Sequence, residues 1–169
     1  MNEHFDFVDR PPSDYMHLAT ATIISKGSMD AQTQCGCVLV KRNRIVATGC
    51  NSPARDLPNS LVPNLRPYKY PWMIHAEKNA ISNALLAGVA TEGCVAYINA
   101  RPCFTCLSQE LWHNRIREVR YYDGVKPTYS EEDEQLTQEF MRLTNGEMKV
   151  YKLQFDFSEY IRKYHESAT

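Results

Sequence analysis

The chain has 169 residues, of which 43% are hydrophobic and 23% charged, a length and composition that suit one soluble globular domain spanning residues 1–169. Its 19 lysine and arginine residues nearly balance its 20 aspartate and glutamate residues, which argues against a large nucleic-acid-binding surface. Residues 1–14 are polar and acidic and no apolar run reaches about 18 residues, so we expect a cytoplasmic protein without a signal peptide or a membrane span.

Hydrophobic periodicity and turn-forming residues predict alternating helices and strands. In chain order we expect helix 13–25, strand 36–40, strand 45–50, helix 75–87, strand 93–99, helix 102–114, strand 116–122, helix 131–143, strand 148–155 and a short helix 158–164. Ser13 is the expected N-cap of the first helix, and residues 41–44 form the expected hairpin turn. This order predicts an α/β fold: a three-layer α-β-α sandwich around a mixed, five-stranded sheet.

The connection between the second strand and the next helix, residues 51–71, is long and rich in proline. It contains Pro53, Pro58, Pro63, Pro67 and Pro71. Loops of this length inside a domain are usually functional. A surface excursion or an oligomer contact is the alternative interpretation.

The chain has six cysteines. Without a secretion signal, a disulfide framework is not expected. Two of the cysteines, Cys103 and Cys106, have the spacing of metal ligands. The other four lie in or beside apolar runs and are interpreted as buried small hydrophobic residues: Cys35, Cys37, Cys50 and Cys94.

Two short motifs contain side chains that could bind one metal ion, His75-Ala76-Glu77 and Pro102-Cys103-Phe104-Thr105-Cys106. Cys103 and Cys106 are about one helical turn apart, and a helix N-terminus favours their thiolate forms. The strand between the two predicted helices would bring both helix N-termini to one edge of the sheet, and His75 with them. One nitrogen and two sulfur ligands are typical of a zinc site whose fourth position is open.

Glu77 distinguishes a catalytic zinc from a purely structural one. A structural site needs a fourth protein ligand, which Cys50 or Cys94 could supply, although neither has ligand spacing with the others. A carboxylate two residues after the histidine is instead typical of zinc-dependent nucleobase deaminases. Zinc lowers the pKa of bound water toward about 7, and Glu77 is predicted to move the water proton first to the base and then to the departing amine.

Residues 35–122, with Ser25-Lys26 before them, resemble the deoxycytidylate (dCMP) deaminase family of the cytidine deaminase fold. The resemblance is carried by Lys69-Tyr70-Pro71 directly before residues 72–81 (WMIHAEKNAI), by Gln34-Cys35-Gly36 and by Asn51. It implies a zinc enzyme, commonly a hexamer, that converts dCMP to dUMP for thymidylate synthesis. It also implies activation by dCTP with Mg²⁺ and inhibition by dTTP.

The resemblance further implies which residues bind the substrate. Asn51 matches the family asparagine that binds the sugar, and the backbone around Ala76 would hold the base. Ser25, Lys26 and Tyr129 are the candidates for the phosphate end of the nucleotide. Taken singly, each of these three is better explained as an ordinary helix-end, surface or packed loop residue.

One departure from the family concerns regulation. Regulated members typically have Gly-Tyr-Asn-Gly after the second strand, whereas this chain has Gly49-Cys50-Asn51-Ser52, without the aromatic residue and the second glycine. Allosteric control by dCTP and dTTP is therefore an open question. The candidates for binding a triphosphate effector are Asn51, Arg55, Asp56, Arg66 and Lys69.

Three alternatives stay open. A tRNA adenosine deaminase uses the same kind of site, but the near-balanced charge and the acidic start of helix 131–143 disfavour RNA. A deaminase of free cytidine, guanine or a pterin-like base is disfavoured only by the resemblance at Lys69-Tyr70-Pro71. A zinc-stabilised, non-catalytic interaction module would leave Glu77 without a role.

Overall fold

The computed structural model describes residues 10–164 and contains five strands and four α-helices. The elements are α1 (Ser13–Ser25), β1 (Gly36–Lys41), β2 (Arg44–Cys50), a 3₁₀ turn (Asn59–Leu61), α2 (Ala76–Leu86), β3 (Val95–Ala100), a π-helix (Cys106–Trp112), β4 (Glu118–Val125), α3 (Glu131–Leu143), β5 (Lys149–Lys152) and α4 (Phe157–Tyr164). None of the helices within residues 10–164 combines the length and the hydrophobicity that crossing a membrane requires.

The five strands form one mixed sheet in the order β2-β1-β3-β4-β5. Strand β1 pairs antiparallel with β2 and β3, whereas β3, β4 and β5 are mutually parallel neighbours. Helices α1 and α4 cover one face of the sheet, and α2, the π-helix and α3 cover the other. The predicted α/β class and three-layer architecture are confirmed.

Alternation along β3 separates the two cores. Ala96 and Ile98 face the core beneath α2 and the π-helix, whereas Tyr97 faces the core beneath α1. The larger core buries Leu39, Ile81, Leu107, Leu111, Ile116, Val119 and Met148. Both faces of the central strands are therefore apolar, as in other sheets that are covered by helices on both sides.

Some of the predicted boundaries differ from the structure. Ser13 is the first residue of α1 and not its N-cap; the Pro12 carbonyl already accepts the first helical hydrogen bonds, from Tyr15 and Met16. The last strand ends at Lys152 and not at residue 155, because Leu153 and Phe155 turn to pack against the core beneath α1.

The predicted helix 102–114 differs in type as well as in its start. Helical backbone begins at Phe104, and residues 106–112 form a π-helix with i→i+5 hydrogen bonds. Pro102 and Cys103 remain in the loop that follows β3. π-Helical turns are rare and frequent at functional sites, and this one begins at a predicted metal ligand, Cys106.

Two glycines allow helices to lie directly on the sheet. A methyl group at Gly36 would lie 2.1 Å from the Ala21 carbonyl oxygen of α1. A methyl group at Gly49 would lie 2.4 Å from the backbone nitrogen of Ala80 in α2. The position of α2, and of the site residues at its N-terminus, therefore depends on the missing side chain at Gly49.

We predict that Gly49→Ala destabilises the fold by about 3 kcal/mol, because α2 must move away from β2 to admit the methyl group. Gly88→Ala is the matched control: Gly88 has φ 69° with nothing within 4 Å of the added carbon, and the substitution should cost about 1 kcal/mol of backbone strain. Urea unfolding of both variants measures the difference. Equal destabilisation by the two substitutions would contradict the close packing of α2.

Candidate active site

The predicted metal ligands converge where the N-termini of two helices meet. His75 precedes α2, and Cys106 opens the π-helix that follows β3. His75 Nδ1 lies 3.2 Å from Cys106 Sγ and 3.7 Å from Cys103 Sγ. The Cys106 backbone N–H donates to Cys103 Sγ at 3.5 Å. One connection through β3 thus brings together residues that are 28 or more positions apart.

The spacing of these three donor atoms suits zinc. All of them lie within 4.8 Å of one another. Tetrahedral zinc with ordinary Zn–N and Zn–S bond lengths places its nitrogen and sulfur ligands about 3.6 Å apart. Within residues 10–164, no further histidine, cysteine or acidic side chain joins this cluster, so Cys50 and Cys94 do not supply a fourth ligand. The donor set leaves the fourth position open.

The electrostatics of the cluster favour a thiolate at Cys103. The hydrogen bond with the Cys106 thiol, supported by one with His75, lowers the pKa of Cys103 to about 4. The hydrogen bond with Cys103 in turn raises the pKa of His75 to about 9. A thiolate is the form of cysteine that binds a metal ion.

Glu77 lies in the first turn of α2 and is 5% exposed. Its carboxylate contacts the Cys106 side chain, so it lies directly beside the donor cluster. Burial raises the pKa of Glu77 above the usual range of a glutamate. A carboxyl group with a raised pKa can both accept and return a proton near neutral pH.

The cluster opens into a cavity of about 360 Å³. His75, Ala76, Glu77 and Cys103 line the cavity at the metal end. Two further predicted substrate-binding residues, Asn51 and Tyr129, also line it. The volume is at the lower end of the range for small-molecule sites, about 300–1,000 Å³.

The Asn51 side chain is held by three hydrogen bonds within the protein. Its oxygen accepts from the Cys35 backbone N–H at 2.7 Å. Its nitrogen donates to the Thr33 carbonyl at 2.8 Å and to the Asp30 carboxylate at 3.2 Å. Both amide hydrogens are therefore used, and only one lone pair of the oxygen remains for a ligand. Toward a ligand in the cavity, Asn51 can accept a hydrogen bond but not donate one.

Tyr129 is fixed against Arg101, which also lines the cavity. The Tyr129 hydroxyl donates to the Arg101 carbonyl, and the Arg101 guanidinium lies over the Tyr129 ring, 4.2 Å from its centre. Arg101 also pairs with both carboxylate oxygens of Glu134, at 2.6 and 3.0 Å. Because its hydroxyl proton is engaged, Tyr129 presents mainly its ring to the cavity.

Four of the predicted substrate- and effector-binding residues lie outside this cavity. Ser25 and Lys26 line a second cavity, of about 370 Å³, where Ser25 donates to the Thr22 carbonyl and Lys26 to the Gln34 side chain. Arg55 and Asp56 are exposed on the long loop, and Arg55 donates to the side chain of Asn83.

A buried ion pair borders the cavity, and local sequence patterns do not reveal it. Lys69 Nζ lies 2.6 Å from each carboxylate oxygen of Asp30, and both side chains are 3% exposed. Burial alone would raise the pKa of Asp30, but hydrogen bonds from Lys69 and from the backbone N–H groups of Gln32 and Thr33 lower it overall. The pair fastens the long loop to the segment that follows α1.

A second contact that the sequence does not reveal supports the metal loop. Asp133, in the first turn of α3, accepts a hydrogen bond from the Phe104 backbone N–H at 3.0 Å. Phe104 directly follows Cys103, so α3 holds the loop that carries this ligand. The acidic start of α3 therefore has a structural use beyond its effect on surface charge.

A histidine and two cysteines beside a carboxylate, at the N-termini of two helices of an α-β-α sandwich, define the class of zinc-dependent deaminases. Residues 10–123 match the family described as the cytidine and deoxycytidylate deaminase zinc-binding region. The chain belongs to the deoxycytidylate deaminase family, as the sequence motifs predict.

Individual relatives agree with this assignment. An uncharacterised deaminase of Aliivibrio fischeri is 36% identical over 89 residues, which cover 53% of this chain and 58% of that protein. The deoxycytidylate deaminase of Mus musculus is 32% identical over 123 residues, covering 66% of this chain and 67% of that protein. The crystal structure of dCMP deaminase from cyanophage S-TIM5 shares the fold, with a TM-score of 0.65 at 21% identity, and the match covers 86% of this chain and all of that one.

We predict that Lys69→Met destabilises the protein by about 3–5 kcal/mol, because the Asp30 carboxylate is left buried and uncompensated. The double variant Lys69→Met with Asp30→Asn removes both charges and should be more stable than Lys69→Met alone. Because the pKa of Asp30 is lowered on folding, the stabilisation by the pair is present above pH about 4 and is lost as the pH falls further.

Chemical denaturation of the three proteins between pH 3 and 8 measures these differences. A double variant that is less stable than Lys69→Met alone would show that the unpaired carboxylate is not the source of the destabilisation.

Proposed function

We propose that this protein catalyses the hydrolytic deamination of dCMP to dUMP and ammonia, a step that supplies thymidylate synthesis. The observation that carries the proposal is the buried Glu77 carboxylate beside a three-donor metal cluster at the end of a nucleotide-sized cavity. Membership of the deoxycytidylate deaminase family supports dCMP as the substrate.

In this proposal His75, Cys103 and Cys106 hold a zinc ion. When bound, zinc activates a water molecule as a nucleophile near neutral pH. His75 and Cys103 of the cluster line the cavity, and Asp133 keeps the loop of Cys103 in place through Phe104. The amine-bearing carbon of the base must be bound beside these residues, where the activated water and Glu77 can reach it.

Glu77 carries the protons of the reaction. It takes one proton from the attacking water and transfers it to the ring nitrogen of cytosine as the new carbon–oxygen bond forms. It then takes the remaining hydroxyl proton and gives it to the amino group as the carbon–nitrogen bond breaks, which releases ammonia and leaves uracil. Burial of Glu77 favours both roles. It raises the pKa of the carboxyl group toward neutral pH, so that Glu77 can both accept a proton and give it up again.

Three residues orient the nucleotide. The backbone around Ala76, at the free N-terminus of α2, holds the base. Asn51 accepts a hydrogen bond from a sugar hydroxyl through its remaining lone pair. Tyr129 lines the cavity, with its ring held against the Arg101 guanidinium.

We predict that Glu77→Gln retains one zinc ion per chain but loses turnover by about 100- to 10,000-fold, because the amide cannot carry the proton. Glu92→Gln, at an exposed position that does not line the cavity, should leave the rate unchanged. Metal analysis and an ultraviolet deamination assay of both variants provide the two readouts. Normal turnover by Glu77→Gln would refute its assigned role.

The substrate is tested by assaying the zinc-loaded protein with dCMP, cytidine, dCTP, guanine and a tRNA anticodon stem. We expect the highest kcat/KM with dCMP. Deamination of dCMP no better than that of cytidine would contradict it, and turnover of the tRNA stem would favour the RNA-acting alternative.

Regulation and assembly are the finer parts of the proposal and rest on family resemblance. They comprise a hexamer, activation by dCTP with Mg²⁺ and inhibition by dTTP, with Asn51, Arg55 and Asp56 as effector contacts. Arg55 and Asp56 lie on the exposed part of the long loop, where a separate ligand could reach them.

We predict that dCTP with Mg²⁺ converts a sigmoidal dCMP saturation curve into a hyperbolic one if control is retained, and that Arg55→Ala weakens this change. Rate measurements over a range of dCMP concentrations provide the test. An absence of any effect of dCTP and dTTP on rate and on Tm would end the regulatory part of the proposal.

A further inference from the structure

We propose that Arg66 binds the 5′-phosphate of the substrate and thereby makes the enzyme prefer the nucleotide to the nucleoside. This inference rests on the proposed deamination of dCMP and adds a residue that determines specificity at the same site. It follows from comparing the cations that line the cavity, apart from the metal ligand His75.

Two of these cations already have partners. Lys69 is enclosed and holds both oxygens of Asp30 at 2.6 Å. Arg101 is held by both oxygens of Glu134 and by the Tyr129 ring. Using either cation for a phosphate would break an existing ion pair, and for Lys69 it would leave a buried carboxylate unpaired.

Arg66 is different, because no carboxylate within residues 10–164 lies within ion-pair distance of its guanidinium. The side chain is exposed at the cavity wall and donates one hydrogen bond, from Nη2 to the Thr33 hydroxyl at 2.9 Å. A guanidinium has five N–H donors, so about four remain free. Their planar arrangement matches two oxygens of a phosphate group.

The position of Arg66 agrees with the order of groups in a nucleotide. The Thr33 carbonyl accepts from Asn51, and the Thr33 hydroxyl accepts from Arg66, so one residue joins the proposed sugar contact to the free arginine. With the base at the metal cluster and the sugar at Asn51, the 5′-phosphate is the next group along the ligand. Arg66 is the free cation adjacent to that point.

The backbone beside Arg66 is also fixed in place. The Arg66 N–H donates to the Gln32 side chain at 2.9 Å, and Asn64 donates to the Met29 carbonyl at 3.4 Å. Together with the Lys69–Asp30 pair, these contacts fasten residues 64–69 to residues 29–33. The guanidinium is therefore presented to the cavity by an anchored segment, which reduces the entropy lost on binding a ligand.

The earlier phosphate candidates are less well placed. Ser25 and Lys26 line the second cavity, and Lys26 donates to Gln34. Tyr129 lines the cavity of the metal cluster, but its hydroxyl proton is donated to the Arg101 carbonyl. Arg66 alone of the cavity-lining cations combines position with free donors.

The test compares Arg66→Ala, Arg66→Lys and the control Arg44→Ala, an exposed arginine at the start of β2 that does not line the cavity. For each zinc-loaded protein, kcat/KM is measured with dCMP and with deoxycytidine, and Kd is measured for the products dUMP and deoxyuridine. Arg66→Ala should lower kcat/KM for dCMP and affinity for dUMP by about 10- to 100-fold. Both values for the nucleosides should stay within about twofold, because they lack the charged group that makes this bond.

Arg66→Lys should recover part of the loss, since it restores the charge but not the paired donors. Arg44→Ala should match the wild type. An Arg66→Ala variant that loses nucleotide and nucleoside activity equally, or that keeps the full preference for dCMP, overturns the inference while wild-type turnover of dCMP leaves the proposed function intact. If the wild type does not deaminate dCMP, both fail.

Discussion

The site depends on one constraint, the meeting of two helix N-termini at the end of β3. His75 stands before α2 and Cys106 at the start of the π-helix, and their ligand atoms are 3.2 Å apart. Close packing of α2 on Gly49 and the hydrogen bond from Phe104 to Asp133 hold the two sides of this junction. The first turn of α2 also places Glu77 beside the metal ligands, so no further contact is needed to position it.

A second network of hydrogen bonds, centred on Asp30, also borders the cavity. The Asp30 carboxylate accepts from Lys69, from Asn51 and from two backbone N–H groups, so one buried side chain connects the long loop, the strand end and the segment after α1. This explains why a loop rich in proline and without regular strands is nevertheless anchored. The two cations of the loop therefore differ in role. Lys69 stabilises the loop through its ion pair with Asp30, whereas Arg66 has donors available for a ligand.

Sequence patterns predicted what depends on local periodicity and on short motifs. The bounds of α3 follow from its acidic start and its end signals, and the metal ligands follow from residue types with fixed separations. The Lys69–Asp30 pair joins residues that are 39 positions apart, and no local sequence pattern predicts such a contact. Ser25 and Lys26 could not be assigned to a cavity from sequence, because their distance from the metal cluster depends on how α1 packs. The π-helix was not predicted either, because the same residues fit an α-helical pattern.

In our proposal the cluster forms a three-ligand zinc site with an open fourth position beside Glu77. X-ray absorption at the zinc edge of the purified, zinc-loaded protein tests it most directly. We predict one zinc per chain with two sulfur ligands at about 2.3 Å and two nitrogen or oxygen ligands at about 2.0–2.1 Å, unchanged in Glu77→Gln. Three or four sulfur ligands, or a ligand shell that changes in Glu77→Gln, would contradict it.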